Sequence, residues 1–207
     1  MTLRKSFLAG PYYRLVENRI LPYVNRLTLS PNQFTLLGVI LAAAVPVGFF
    51  LHPAIGLVFM LISAFVDTLD GLVARRQNAT SVFGAFLDST LDRISDFFYI
   101  FGFWILLWNS AQHILASGLI FASSLTTLMI SYVKARSQAL GGTCDIGWME
   151  RGRRTVFLII WALLICILPT LREAILWAGL VLYFGLTSVT VLQRIVYCRS
   201  EFLRPKG

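Results

Sequence analysis

Six long runs of apolar residues, separated by short polar or charged segments, divide most of the chain. Their approximate bounds are 31–51, 54–75, 84–108, 111–136, 154–172 and 174–197. Each run reaches or nearly reaches the length of about 20 apolar residues that a helix needs to cross a bilayer. The pattern predicts an all-α integral membrane protein with six transmembrane helices.

The segment before the first run has a different pattern, because basic residues alternate there with apolar and aromatic ones. This mixture is typical of an interfacial amphipathic segment on anionic head groups, and Pro11 and Pro22 make one unbroken helix unfavourable. The predicted organisation is an N-terminal juxtamembrane segment at 1–30, a membrane domain at 31–198 and a basic C-terminal tail at 199–207.

Composition supports the membrane assignment, since 57% of the residues are hydrophobic and the mean hydropathy is +0.74. A soluble domain would carry more charge than the 14% found here. The three cysteines and two histidines do not have the spacing of a zinc site, and no nucleic acid partner is expected.

The basic residues give the predicted orientation. They cluster before the first run, around Arg75 and Arg76, around residues 134–154 and at the C-terminal end, whereas the intervening loops carry little charge. By the positive-inside rule both termini and the basic loops are cytoplasmic. We therefore expect a multi-pass protein of the cytoplasmic membrane.

The acidic residues are concentrated inside two of the apolar runs. Five of the ten lie within residues 67–96, namely Asp67, Asp70, Asp88, Asp92 and Asp96. An intramembrane carboxylate costs about 2.5–3.5 kcal/mol on insertion scales, so the cluster requires compensating positive charge. The first two residues are i,i+3 and the next two i,i+4, which places each pair on one helix face. Four carboxylates match two divalent cations, and oxygen ligands alone favour Mg²⁺ or Mn²⁺.

A cation or proton transporter is an alternative hypothesis, because such proteins also carry intramembrane carboxylates. It gives no role to the glycine and arginine residues that accompany the carboxylates, and the chain has no obvious inverted repeat. The remaining glycines of the apolar runs are expected to serve helix packing. These are Gly38, Gly48, Gly56, Gly102, Gly118 and Gly179.

The carboxylates belong to a longer pattern with fixed spacing. It reads Asp67-x2-Asp70-Gly71-x2-Ala74-Arg75-x8-Gly84-x3-Asp88-x3-Asp92. This pattern resembles the signature of the CDP-alcohol phosphotransferase family, at every fixed position. The resemblance extends from about Ser30 to Arg199 and implies a six-helix membrane fold, a homodimer, and an enzyme of phospholipid biosynthesis.

The resemblance also implies an activity and its residues. The enzyme would transfer a phosphatidyl or archaetidyl group from CDP-diacylglycerol or CDP-archaeol to an alcohol and release CMP. Asp67, Asp70 and Asp88 would be metal ligands, and Asp92 would be both a ligand and the general base. Two metal ions per site can stabilise the attacking and leaving oxygens.

Further positions of the pattern are expected to bind the CDP-lipid. Gly71 and Gly84, with Ala74, leave room for the nucleotide, and Arg75 offers a fixed cation to the pyrophosphate. Ser81 either caps the third helix or binds a phosphate. By the resemblance, Asn32 and Thr35 are candidate cytidine contacts.

The acceptor is indicated by a second set of positions. The chain resembles, at these positions, the branch of the family that makes phosphatidylinositol phosphate or archaetidylinositol phosphate. The positions are Lys134 in Ser131-Tyr132-x-Lys134, Arg154 in Gly147-x2-Glu150-Arg151-x2-Arg154, and Arg194 near the end of the last run. In that branch they would hold the phosphate of inositol phosphate. Glycerol 3-phosphate, the acceptor of phosphatidylglycerophosphate synthase, is the alternative, and the lipid tail is left open.

Overall fold

The structure, a computed structural model, describes residue 19, residues 30–76 and residues 81–204, without the side chains of residues 70 and 74–76. Apart from Arg19 and Ser30, the predicted juxtamembrane segment lies outside the described residues, as do residues 205–207 of the predicted tail.

Within those ranges the regular structure is entirely helical, which confirms the predicted fold class. The helices are α1 (Pro31–Leu51), α2 (Pro53–Arg76), α3 (Val82–Leu107), α4 (His113–Ala139), α5 (Arg151–Ile167) and α6 (Arg172–Phe202), with a 3₁₀ turn at Pro169–Leu171. By length and composition α1, α2, α4 and α6 are candidate membrane spans. Helix α3 carries four charged side chains between residues 82 and 96, and α5 has only 17 residues.

The fifth helix ends earlier than the apolar run predicts, at Ile167 rather than near residue 172. Pro169 is the reason, because a proline disfavours the helical conformation of the residue before it and has no N–H to donate. Leu168 leaves the helical region at φ −119° and ψ 64°. Helix α6 begins at Arg172 and continues to Phe202, beyond the predicted end near residue 197 and into the predicted tail.

The described residues form two compact units, which divide between Tyr99 and Ile100. In the first unit α1 packs against α2, and the chain reverses at His52, the single residue between them. Gly48 and Gly56 allow the close approach. A Cβ atom placed on Gly48 would lie 2.8 Å from the Gly56 Cα, and one on Gly56 would overlap the ring of Phe49.

Buried polar side chains fix how these helices align in the first unit. The Ser63 hydroxyl of α2 donates to the Gly38 carbonyl of α1 at 2.7 Å and accepts from the Tyr99 hydroxyl of α3 at 2.8 Å. Buried groups of this kind are costly unless paired, so the bonds favour one register. Asp67 lies one helical turn after Ser63, and its position on α2 is therefore set by this contact.

In the second unit α6 packs against both α4 and α5. The Thr127 and Tyr183 hydroxyls are 2.9 Å apart, which joins α4 to α6. Trp161 of α5 donates its indole N–H to the Ile175 carbonyl at 2.9 Å and stacks on Phe103. Gly179 leaves space for this indole, since a Cβ there would overlap it.

Candidate metal and phosphate sites

The family-like pattern lies where three helix ends of the first unit meet. Helix α1 begins at Pro31, α2 ends at Arg76, and α3 begins at Val82. Asp67 is near the carboxyl end of α2, and Asp88 and Asp92 are in the first turns of α3. The short connection between α2 and α3 therefore brings residues from both halves of the pattern to one end of the unit.

Three of the four predicted metal ligands come together there. One carboxylate oxygen from each of Asp67, Asp88 and Asp92 lies within 4.8 Å of the others, and all three side chains are partly buried. Negative charges at this separation repel unless a cation lies among them. The oxygen-only donor set fits a divalent cation such as Mg²⁺ or Mn²⁺. Asp70 follows Asp67 by three residues on α2, but its side chain is not described.

Ser81 and Gly84 form the amino-terminal cap of α3. The Gly84 N–H donates to the Ser81 hydroxyl at 2.9 Å, and the Ala85 N–H donates to the Ser81 carbonyl at 3.0 Å. This is the geometry of an N-cap serine, so the predicted capping role is present. A Cβ on Gly84 would lie 3.0 Å from the Ser81 Oγ and 3.5 Å from the Asn32 Oδ1. Three predicted CDP-lipid contacts therefore lie beside one another.

The structure says less about the other predicted CDP-lipid contacts. Thr35 is buried, and its hydroxyl donates to the Pro31 carbonyl of its own helix at 3.2 Å. Its proton is thus used within α1, which leaves only its oxygen lone pairs for a ligand. Gly71 is in α2 directly after Asp70, and the side chains of Ala74 and Arg75 are not described.

The three predicted acceptor-binding residues surround one segment of the second unit, residues 140–150, which we call the α4–α5 loop. Arg154 is 1% exposed and donates to the Met149 carbonyl at 3.0 Å. Arg194 is 3% exposed and donates to the Ile146 carbonyl at 2.9 Å and to the carbonyl of Ile130. Both arginines therefore stabilise the backbone around the loop.

Lys134 differs from the two arginines, because its side chain is partly exposed and its ammonium pairs with a carboxylate. Its Nζ lies 2.6 Å from the Asp145 Oδ1. The Lys134 ammonium, with a smaller contribution from Arg194, holds the pKa of Asp145 below its ordinary value of 3.8. Asp145 is consequently ionised at neutral pH.

Further contacts fasten the α4–α5 loop to α6. The Met149 N–H donates to the Thr190 hydroxyl at 3.1 Å, and the backbone N–H and hydroxyl of Thr143 both donate to Glu201 at 2.9 Å. Gly147 has φ +116°, and a Cβ there would lie 2.7 Å from the Thr190 Cγ2. Only glycine meets both conditions easily.

Two further residues of this region, Asp145 and Glu201, were not predicted from the sequence. Neither has a helical spacing to its partner, since Asp145 is 11 residues from Lys134 and Glu201 is 58 residues from Thr143. The one available signal was an acidic residue in a glycine-containing loop between clusters of basic residues. The partners of an acidic residue in such a loop can be identified only when the path of the backbone is known.

Comparison with known proteins tests the family resemblance directly. The sequence model of the family described as CDP-alcohol phosphatidyltransferase matches residues 28–185. The archaetidylinositol phosphate synthase of Methanothermobacter thermautotrophicus is 35% identical over 188 residues, which cover 89% of this chain and 91% of that protein.

Solved structures of one relative are also similar. The Mycobacterium tuberculosis phosphatidylinositol phosphate synthase with CDP-DAG bound has a TM-score of 0.76 at 27% identity, covering 90% of this chain and 94% of that one. The structure of the same synthase in complex with manganese and citrate has a TM-score of 0.77 at 26% identity, covering 89% and 90%.

These findings confirm a multi-pass membrane enzyme, a transferase of phospholipid biosynthesis. They support neither the glycerol 3-phosphate alternative nor the transporter. The match over 28–185 includes the whole aspartate pattern and all three clustered carboxylates. The chain belongs to the CDP-alcohol phosphatidyltransferase family.

Proposed function

We propose that this enzyme transfers a phosphatidyl or archaetidyl group from a CDP-linked lipid to a hydroxyl of inositol phosphate and releases CMP. The observation that carries the proposal is the triplet of carboxylates, Asp67, Asp88 and Asp92, with oxygens within 4.8 Å of one another. In the transfer, the acceptor oxygen bonds to the lipid-linked phosphorus. The bond from that phosphorus to CMP breaks, and CMP leaves with the electron pair.

The carboxylates divide the work of metal binding and proton transfer. Asp67, Asp70, Asp88 and Asp92 would hold two Mg²⁺ or Mn²⁺ ions, which supply charge stabilisation to the pyrophosphate. Asp92 also accepts the proton of the attacking hydroxyl, as a base adjacent to the reacting oxygen can. Gly84 and Gly71 have no side chain, which leaves space for the nucleotide against the helices. Arg75 pairs with the pyrophosphate.

The acceptor phosphate binds to Lys134, Arg154 and Arg194 at the α4–α5 loop. Support comes from their common association with that loop and from the match to inositol phosphate synthases. A phosphomonoester near −2 is well matched by two guanidinium groups and an ammonium. The two arginines also hold main-chain carbonyls, so Lys134 is the residue most available to respond to the ligand.

The proposal includes an orientation and an assembly. Both termini and the active site face the cytoplasm, which the basic residues Lys134 and Arg136 at one end of α4 favour. The enzyme is a homodimer, as in the family resemblance. Exposed aromatic side chains such as Phe97 and Phe121 offer apolar surface to lipid or to a second copy.

The test is CMP release by purified enzyme with CDP-diacylglycerol or CDP-archaeol and a panel of acceptors. Inositol phosphate with Mg²⁺ or Mn²⁺ should give turnover, whereas free inositol and glycerol 3-phosphate should give little. EDTA should abolish the reaction, and Asp88→Asn should reduce kcat/KM by at least about 100-fold, because one metal-binding charge is lost.

Glu173→Gln is the matched control for Asp88→Asn. It removes one negative charge from an exposed residue in the first turn of α6 and should keep wild-type kinetics. Full turnover in EDTA would contradict the metal assignment. Equal use of free inositol would contradict the acceptor assignment.

A further inference from the structure

The ion pair between Lys134 and Asp145 joins the end of α4 to the α4–α5 loop. The two charged atoms are 2.6 Å apart, and the side chains are 37% and 61% exposed. Solvent and a soluble ligand can therefore reach this pair directly.

Contacts of residues other than Asp145 hold the α4–α5 loop in place. On its carboxyl-terminal side the Arg194 guanidinium binds the Ile146 carbonyl, and the Thr190 hydroxyl accepts from Met149. On its amino-terminal side Thr143 donates to Glu201. Since these bonds involve neighbouring residues, we expect the loop to keep its path when the Asp145 carboxylate is neutralised.

A carboxylate on Lys134 competes with any phosphate for the same ammonium. Both ligands are anionic oxygen acceptors, and lysine acts as a compact point charge. We propose that Asp145 is a specificity-determining residue, an internal counter-ion on Lys134 that the phosphate of the acceptor must displace. This inference rests on the proposed function, because it assigns a purpose to an anion beside the acceptor-phosphate residues.

The exchange favours one class of acceptor. A phosphomonoester brings about two negative charges and replaces one, so the exchange is favourable when the arginines add their own attraction. An unphosphorylated alcohol brings no charge, and Lys134 then stays with Asp145. The ion pair thus lowers the affinity for anions, and it disfavours a weakly charged anion more than a phosphomonoester, which has more charge with which to displace Asp145.

The test is Asp145→Asn, which keeps the shape of the side chain and removes its charge. The KM for inositol phosphate should fall about two- to five-fold, the range of an exposed ion pair, with kcat and the KM for CDP-lipid unchanged. The inhibition constant of inorganic phosphate should fall by the same factor. Asp145→Glu should restore wild-type values, and Glu173→Gln, the same charge change on an exposed residue, should leave them unaltered.

A binding measurement separates this inference from the proposed function. Calorimetric titration of inorganic phosphate in EDTA, where the metal site does not contribute, should show two- to five-fold tighter binding to Asp145→Asn. That result supports the counter-ion even if inositol phosphate is not a substrate of the wild-type enzyme. Unchanged or weaker phosphate binding by Asp145→Asn would overturn it.

A double-mutant cycle identifies Lys134 as the group through which Asp145 acts. In the Lys134→Gln background, Asp145→Asn should no longer change the affinity for phosphate, because the competition has disappeared. An equal gain in both backgrounds would mean that the charge acts through the general field, and the proposal would be wrong. The melting temperature of each variant, measured alongside, identifies any loss of folding.

Discussion

Lys134 and Arg154 were predicted for the same task, yet their surroundings differ. Arg154 is almost fully buried and donates to the Met149 carbonyl, whereas the Lys134 side chain is partly exposed and pairs with Asp145. A buried hydrogen bond from a charged donor contributes to stability, and leaving the carbonyl unpaired is costly. Substitution of the two residues should therefore have separable effects.

Arg154→Gln should lower the free energy of unfolding by about 1–3 kcal/mol, because glutamine is too short and uncharged to replace the guanidinium. Lys134→Gln should leave the melting temperature within error and raise the KM for inositol phosphate about tenfold or more, with the KM for CDP-lipid unchanged. Thermal unfolding in detergent and steady-state kinetics measure both. A stable Arg154→Gln with only a raised KM would show that Arg154 serves the ligand alone.

At this scale the carboxylates of α2 and α3 were predictable, and Asp145 was not. Asp88 and Asp92 are four residues apart on one helix, so their common face follows from helix geometry. The ion pair of Asp145 depends on a loop whose path is set by Arg194, Thr190 and Glu201, which are 45 to 56 residues away in the sequence. No local pattern carries that information.

Helix packing in the first unit depends on two glycines, Gly48 and Gly56, as predicted for glycines of the apolar runs. Gly56→Ala should destabilise the α1–α2 pair by about 1–3 kcal/mol, because its methyl group overlaps Phe49, which is buried and has little space to move. Since α2 also carries Asp67, activity should fall together with stability. Thermal unfolding and CMP release are the measurements.

Gly185→Ala in α6 is the control for Gly56→Ala. No described atom lies within 4 Å of a Cβ at Gly185, and alanine is the better helix former. This variant should be as stable as the wild type or more so. If Gly56→Ala were equally stable, the close approach of α1 and α2 at this point would be wrong.

The helices themselves followed from the apolar runs, but their ends did not always. Hydropathy continues past Pro169, so the apolar pattern predicted a fifth helix to residue 172, while the backbone requirement of proline ends it at Ile167. The packing role of a glycine was also not always predictable, as Gly118 shows. It was predicted to serve packing, yet no described atom lies within 4 Å of a Cβ placed there. Whether a glycine faces another helix can be predicted only when the neighbouring helices are known.

For the whole molecule, the distribution of charge predicts the orientation in the membrane, and the two ends of helix α4 are suitable places to test it. Its 27 residues span about 40 Å at 1.5 Å per residue, more than the hydrocarbon core of about 30 Å. One end carries Lys134 and Arg136, and the other begins after Gln112 with no charged residue in its first turn. The positive-inside rule therefore predicts that the first end is cytoplasmic and that the second faces outward.

Single cysteines at the two ends of α4 test this orientation. Gln112 and Gln138 are both exposed, so Gln112→Cys and Gln138→Cys should leave the fold intact. The background would have its own cysteines, of which Cys144 and Cys198 are buried, replaced by alanine. A membrane-impermeant maleimide added to intact cells should label Gln112→Cys and should label Gln138→Cys only after permeabilisation. The reverse pattern would place Lys134, Asp145 and the proposed acceptor site on the outer face, where a cytoplasmic acceptor could not reach them.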